Sequence, residues 1–175
     1  MNPPAASPYT PTASAPRALY TPEERQRRDA TAWTWVQGVL APIQFIVCLV
    51  SAALVLRYLF TGAGLWAASV SFILKCALLM LIMVTGSIWE KVVFGRWLFA
   101  PAFFWEDVVS MGVIALHAAC LWSLFSGQMS PQAQMGLALA AYAAYIVNAV
   151  QFVLKLRAAR RDESARAAPA GVLAA

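Results

Sequence analysis

Four long runs of apolar residues dominate the chain, and short polar or mixed segments separate them. Each run is long enough to cross the hydrocarbon core of a bilayer, which takes about 20 apolar residues in an α-helix. We place the predicted spans at residues 36–60, 65–89, 105–125 and 132–156. The pattern predicts an all-α fold, an integral membrane four-helix bundle.

The two ends of the chain differ from these runs. Residues 1–35 are rich in Pro, Ala, Thr and Arg and lack the apolar stretch of a signal peptide. Such a composition does not bury enough apolar surface to fold by itself. We therefore predict disordered tails at 1–18 and 162–175, on either side of a four-span membrane domain at 19–161.

Composition supports a membrane environment. The chain is 61% hydrophobic and 12% charged, whereas soluble domains carry about 25% charged residues. Lys and Arg residues concentrate in both terminal segments and in the middle loop, so the positive-inside rule predicts that these three segments face the cytoplasm. The net charge of +5 then reflects topology and contact with anionic lipid, and it requires no nucleic-acid partner.

The cysteines and the histidine restrict the cofactor classes. Cys48, Cys76 and Cys120 each lie within a predicted span and form no C-x-x-C pair, so the pattern indicates neither a zinc site nor a disulfide framework. Because the chain has one histidine, a bis-histidine haem site within one protomer is excluded.

The segment 86–107, GSIWEKVVFGRWLFAPAFFWED, concentrates carboxylates and aromatic rings between the second and third spans. Glu90 closes one span, and Glu106 and Asp107 open the next. Ionisable groups at membrane depth are costly and mark functional sites. The alternatives are solvated boundary residues, which the helix dipole favours at the start of a helix, and an ion pair of Glu90 with a neighbouring cation.

Further polar residues are predicted deeper in the bundle. At 1.5 Å per residue, Gln44 and Asn148 each lie about 12 Å from the cytoplasmic boundary, and Lys75 and His117 lie at nearly matched depth below the outer surface. These side chains are either functional or hydrogen-bonding links between helices. The aromatic loop fits a surface for a flat apolar ligand, although aromatic belts also occur at membrane interfaces.

Three segments carry a family resemblance: LYTPEERQRRDATAWTWVQGVLAPIQF, MVTGSIWEKVVFGRWLFAPAFFWEDVVSM and YIVNAVQFVLKLRAAR. From Leu19 to Arg161 the chain resembles the 3-vinyl bacteriochlorophyllide hydratase family of bacteriochlorophyll biosynthesis. The resemblance implies a hydro-lyase that adds water to the C3 vinyl group of chlorophyllide a or 3-vinyl bacteriochlorophyllide a, giving the 3-(1-hydroxyethyl) product. It also implies a multi-pass protein of the bacterial inner (intracytoplasmic) membrane. The substrate carries its own magnesium, so we expect no cofactor and no protein-bound metal.

That reaction needs a proton donor, a carboxylate near the developing cation and an ordered water. We predict Glu106 as the acid, because it shares a helix stripe with His117, and Glu90 or Asp107 as the group that orients water and stabilises the cation. An acid of this kind must be kept protonated by burial or by a neighbouring carboxylate.

The remaining candidate residues are predicted to bind the substrate. His117 is a candidate axial ligand of its magnesium, although His117 lies about 16 Å from Glu106 along the helix, too far for both to serve one ring. Lys91 or Arg96 is expected to hold the propionate. The other candidates for contact with the ring are Trp89, Trp105, Gln44 and Asn148.

Two other classes of function remain open from the sequence. A small four-span transporter would place an ionisable residue near the midplane, where only Lys75 and His117 qualify. A pigment-binding or assembly subunit without chemistry would use the aromatic loop to contact a partner. The sequence also leaves open a homo-oligomer, contact with neighbouring pathway enzymes, and the choice between chlorin and bacteriochlorin substrates.

Overall fold

A computed structural model describes residues 18–167 of the protein, which form five α-helices and, within that range, no β-strand. The helices are α1 (Pro22–Ala30), α2 (Ala32–Thr61), α3 (Leu65–Phe94), α4 (Phe104–Ser126) and α5 (Pro131–Ala167). By length and composition, α2, α3, α4 and most of α5 can each cross a membrane. The predicted all-α class is confirmed, and the four apolar helices indicate a multi-pass membrane protein.

Helices α2, α3 and α4 begin and end close to the predicted positions, whereas α5 continues well past the predicted end at residue 156. Glycine sets three of the helix ends. Gly62, Gly95 and Gly127 follow α2, α3 and α4 with φ values of 70°, 77° and 63°. This left-handed conformation ends helices and is accessible to glycine without a steric penalty. Helix α3 therefore continues five residues past the predicted end at residue 89, and Glu90 lies in its last turn.

Two helical segments extend the predicted fold. Helix α1 lies in the segment that composition alone marked as unstructured, and it starts with a capping box in which Thr21 and Glu24 exchange hydrogen bonds, with Pro22 in the first turn. Helix α5 continues through 162–167, where a disordered tail was expected, because Glu163 forms ion pairs with Arg25 and Arg28. Residues 1–17 and 168–175 lie outside the described range, so the prediction of disorder there stays a prediction.

The bundle consists of two closely packed helix pairs. Helix α2 packs along α3 and α4 packs along α5, while α2 also contacts α5; the contact between α3 and α4 is smaller. The interior combines small side chains such as Cys48, Ala68 and Ala138 with the large rings of Phe72 and Tyr142. Helices α3 and α4 are connected by loop 95–103 and contact each other in the bundle through Lys75 and His117.

We call the end of the bundle that carries loop 95–103 the carboxylate end. Helix α1 and the last turns of α5 lie at this end, while the connections 62–64 and 127–130 lie at the opposite end. Basic side chains follow the same division. Arg57 lies near the opposite end, whereas the carboxylate end holds Arg25, Arg27, Arg28, Lys91, Arg96, Lys155, Arg157, Arg160 and Arg161.

Candidate functional site

Glu90 and Asp107 form a buried carboxyl pair beneath loop 95–103. Their side chains come from the end of α3 and the start of α4, are 5% and 3% exposed, and are close enough to interact electrostatically. Consecutive loop amides bind them: the Phe99 N–H donates to Asp107 Oδ2 at 2.8 Å, and the Ala100 N–H donates to Glu90 Oε2 at 3.2 Å. The loop and the two carboxyl groups therefore hold one another in place.

Phe99 has an unusual backbone conformation at this point. Its φ of 58° makes it the one non-glycine residue with positive φ in the described part of the chain. A bulky residue rarely adopts this left-handed conformation, which costs on the order of 1–3 kcal/mol. This conformation directs the Phe99 N–H inward, and the resulting hydrogen bond to Asp107 stabilises it.

The positions of Glu90 and Asp107 at opposite kinds of helix end indicate which of the two carboxyl groups is protonated. Two neighbouring buried carboxyl groups repel each other when both are ionised, so such a pair favours a state in which one of them carries a proton. Glu90 lies at a helix C-terminus, where the dipole disfavours negative charge, and Asp107 lies in a first turn, where it favours negative charge. The arrangement therefore favours a protonated Glu90 beside an ionised Asp107.

Glu106 has a different partner from its neighbour Asp107. Its Oε2 lies 2.6 Å from Lys155 Nζ on α5, and both side chains are largely buried. The two side chains form an ion pair that links the start of α4 to α5. Lys155 was not predicted as a site residue; its position inside the apolar segment QFVLKLR is the signal that marks it.

Hydrogen bonds continue from Glu106 along the interface of α4 and α5. The Ser110 hydroxyl donates to the Glu106 backbone carbonyl at 2.8 Å and accepts from Asn148 Nδ2 at 2.7 Å. Gln44, on α2, is 1% exposed, and neither its Nε2 nor its Oε1 has a hydrogen-bond partner among the described residues. Asn148 and Gln44 thus lie one layer deeper than the carboxyl groups.

Lys75 and His117, predicted at matched depth, are in contact in the middle of the bundle. Lys75 Nζ lies 3.1 Å from His117 Nε2 and 3.7 Å from the centre of the Tyr145 ring. His117 Nδ1 lies 2.8 Å from the Val113 carbonyl oxygen and donates to it, so Nε2 accepts from Lys75. Both ring nitrogens of His117 are therefore engaged within the bundle.

The aromatic residues of the carboxylate end fall into two groups. A packed group, with ring centroids 5.7–6.4 Å apart, consists of Tyr20, Trp89, Phe94, Phe103 and Phe152. An exposed group consists of Trp97, Phe99, Phe104 and Trp105. Trp89 also donates to Thr34 Oγ1 at 2.9 Å, so it belongs to the protein interior, whereas Trp105 presents its ring outward.

The predicted cationic contacts lie at the loop surface. Lys91 is exposed and donates from Nζ to the Gly95 carbonyl at 2.9 Å, and Arg96 is exposed in the loop itself. The structure thus brings Lys91, Arg96 and Trp105 to the exposed side of the carboxylate end. Glu90, Asp107 and Glu106 lie just beneath.

The cysteines and acidic residues form no evident metal site. Cys48, Cys76 and Cys120 are free thiols buried in the helices. Within residues 18–167, no group of three or more His, Cys, Asp or Glu side chains is arranged to hold a metal ion.

Comparisons with known proteins identify relatives over most of the chain. A family model described as 2-vinyl bacteriochlorophyllide hydratase matches residues 20–158. A protein of that name from Cereibacter sphaeroides is 63% identical over 156 residues, which cover 89% of this chain and 97% of the relative. One from Rhodobacter capsulatus is 62% identical over 153 residues, covering 87% of this chain and 89% of the relative.

No solved structure matches the chain significantly. The names of these relatives number the vinyl position 2, whereas the name of the family that the three sequence segments resemble numbers it 3; both names describe a bacteriochlorophyllide hydratase. On the extent of the family match and on the identity to both relatives, the chain belongs to the 2-vinyl bacteriochlorophyllide hydratase family.

Proposed function

We propose that this protein adds water to the vinyl group of a bacteriochlorophyllide-type tetrapyrrole, as a hydro-lyase of bacteriochlorophyll biosynthesis. Family membership supports the reaction and the substrate class. The observation that carries the chemistry is the buried Glu90–Asp107 pair under an aromatic loop, because two neighbouring buried carboxyl groups favour a state with one protonated and one ionised group.

In this proposal Glu90 donates its proton to the terminal carbon of the vinyl group. Positive charge then develops on the carbon attached to the ring, and the ionised carboxylates of Asp107 and Glu106 stabilise it. Water attacks that carbon through its oxygen and releases a proton, which returns to the carboxyl pair. The product carries a 1-hydroxyethyl group, and the protein ends in its starting protonation state.

This assignment exchanges two predicted roles. The sequence favoured Glu106 as the acid, whereas in the structure the Glu106 carboxyl group forms an ion pair with Lys155. Glu90 has no such cation beside its carboxyl group and accepts only from the Ala100 amide among the described hydrogen bonds. We therefore place the proton donor in the Glu90–Asp107 pair.

We place the ring against the exposed aromatic group of Trp97, Phe99, Phe104 and Trp105. Ligand sites combine apolar walls with a few placed polar groups, and Phe99 links these rings to Asp107 through its amide. Lys91 or Arg96 binds the propionate from the loop surface. Magnesium arrives with the substrate, and we do not assign it to His117, whose Nε2 accepts from Lys75.

The location follows from the distribution of charge. Because the basic residues concentrate at the carboxylate end, we propose that this end, with both termini, faces the cytoplasm of a bacterial inner membrane. An amphiphilic tetrapyrrole would reach the exposed aromatic group from the membrane interface.

Conversion by isolated membranes tests the proposal. Membranes that carry the wild-type chain should convert the vinyl substrate to the 1-hydroxyethyl product, as followed by chromatography and by the blue shift that accompanies loss of vinyl conjugation. Glu90→Gln should bind pigment but lose at least about 100-fold in turnover, the usual scale for removing a general acid. Glu23→Gln, on the exposed surface of α1, is the matched control and should retain activity. Pigment binding without conversion by the wild type would instead indicate a binding or assembly subunit.

A further inference from the structure

Four polar atoms deep in the bundle have no hydrogen-bond partner among the described residues. They are Nε2 and Oε1 of Gln44, Oδ1 of Asn148 and Oε1 of Gln151. Gln44 is 1% exposed and Asn148 is 8% exposed. Amide groups buried without a partner are strongly disfavoured, and buried polar groups are nearly always paired with protein or with ordered water.

The register of the helices brings Gln44 and Asn148 to one level. Helices α2 and α5 run in opposite directions and are linked by a hydrogen bond between the hydroxyl groups of Ser51 and Tyr142. From that link, Gln44 lies seven residues and Asn148 six residues toward the carboxylate end, which corresponds to about 10 Å and about 9 Å. Gln151 follows one turn later on α5.

The unpaired atoms define what kind of ligand would satisfy them. Three are carbonyl oxygens, which accept, and one is the Gln44 amide nitrogen, which donates. A metal cation would satisfy the oxygens and leave the Gln44 N–H groups unpaired. A direct bond between Gln44 Nε2 and Asn148 Oδ1 would leave two acceptors unpaired. Water both donates and accepts, and each molecule can donate two hydrogen bonds, so a pair of water molecules meets all four requirements.

We propose that Gln44, Asn148 and Gln151 form an internal water site that supplies the water consumed in the reaction. The supply step rests on the proposed hydratase function, whereas the site itself does not. Asn148 donates to Ser110 Oγ, and Ser110 lies three residues from Asp107 on α4, about 5 Å along the axis. A water held here is one helical turn from the carboxyl pair and is shielded from bulk solvent.

Radiolytic hydroxyl-radical footprinting tests the site without substrate. In this method, bound water is the source of the radicals. The Cys48 thiol lies one turn beyond Gln44 on the same face of α2 and points back toward Gln44. Cys120 is an equally buried thiol in the opposite half and serves as the matched control. In the full-length protein in lipid nanodiscs, we expect Cys48 to be modified at least about threefold faster than Cys120. The double variant Gln44→Met, Asn148→Leu should abolish this difference.

Equal modification of the two thiols in the wild type, or a difference that persists in the double variant, would overturn the water site. These results do not depend on whether the protein hydrates a tetrapyrrole, so failure of the site and failure of the proposed function are distinguishable.

Kinetics then tests the supply step. The double variant should lose about tenfold or more in kcat while KM for the pigment stays unchanged, since the pigment surface is untouched. Ser51→Ala, which removes a polar group from the opposite half, should change neither constant. A double variant with wild-type kcat, or with kcat and pigment binding lost together, would overturn the role of the site in supplying water.

Discussion

The layer formed by Lys75 and His117 and the layer formed by Glu90, Asp107 and Glu106 are both buried, but their polar groups are satisfied differently. In the middle layer each group is paired within the bundle: His117 lies between Lys75 and the Val113 carbonyl. At the carboxylate end, the partners of Glu90 and Asp107 are loop amides next to exposed aromatic rings.

This difference separates an internal helix link from the proposed ligand site. Both layers are costly to bury, so burial of ionisable groups alone does not identify an active site. The position beneath a loop favours the carboxyl pair, because Glu90 and Asp107 are bound by amides of loop 95–103, whereas the middle layer has no adjacent loop in the described chain.

The largest expected effect comes from breaking the carboxyl pair. Glu90→Gln and Asp107→Asn should each lower turnover about 100-fold or more, and the double variant should be little worse than either, because both single changes disable one shared proton. The measurement is a double-mutant cycle on kcat with pigment binding as a control for folding. Losses that multiply in the double variant would mean that the two groups act independently.

The sequence predicted the four long helices and the depth of the carboxylates in the bundle. It did not predict which side chains the carboxylates contact. Apolar run lengths located the four spans, and their ends brought Glu90, Glu106 and Asp107 to one side of the bundle. The pairing of Glu106 with Lys155, 49 residues away, depends on how α4 and α5 rotate against each other. Run lengths carry no information about that rotation.

Local signals also competed with composition. The composition of residues 1–35, which are rich in Pro and Arg, indicated no folded structure. Thr21, Pro22 and Glu24 nevertheless form a strong helix start. The conformation of Phe99 could not be predicted either, since its positive φ is held by a contact to Asp107 on another element. Helix caps depend on neighbouring residues and can be predicted from the sequence. Loop conformations that depend on tertiary contacts cannot.

Substitutions in the layer of Lys75 and His117 should lower the free energy of unfolding rather than the turnover rate. His117→Leu leaves Lys75 buried without its hydrogen-bond partner and should destabilise the fold by about 3 kcal/mol, while the double variant Lys75→Met, His117→Leu should recover most of that loss. Reversible unfolding in detergent measures both, and the turnover of folded protein should stay close to wild type. If the folded His117→Leu variant lost turnover as the carboxyl variants do, the two layers would not differ in function.

A smaller effect should separate the two possible roles of Glu106. Lys155→Met removes the ammonium group that lies 2.6 Å from the Glu106 carboxylate and positions it. If the positioned Glu106 carboxylate stabilises the cation, turnover should fall about tenfold, on the scale of one charged interaction, and Lys155→Arg should restore much of it. If Glu106 were instead the acid, loss of this ion pair would not lower turnover. Steady-state rates of the two Lys155 variants distinguish these outcomes.

The smallest expected effect tests where the pigment binds, and α4 provides its own control. Trp105 and Trp122 lie near opposite ends of this helix and are 71% and 70% exposed. Trp105→Ala removes a ring from the exposed aromatic group and should raise KM for the pigment about fivefold with little change in kcat, as expected for loss of one aromatic contact. Trp122→Ala removes the same area of ring from the opposite end and should leave KM unchanged. An equal rise in both variants would mean that the rings act through membrane anchoring, and the pigment surface would then have to lie elsewhere on the carboxylate end.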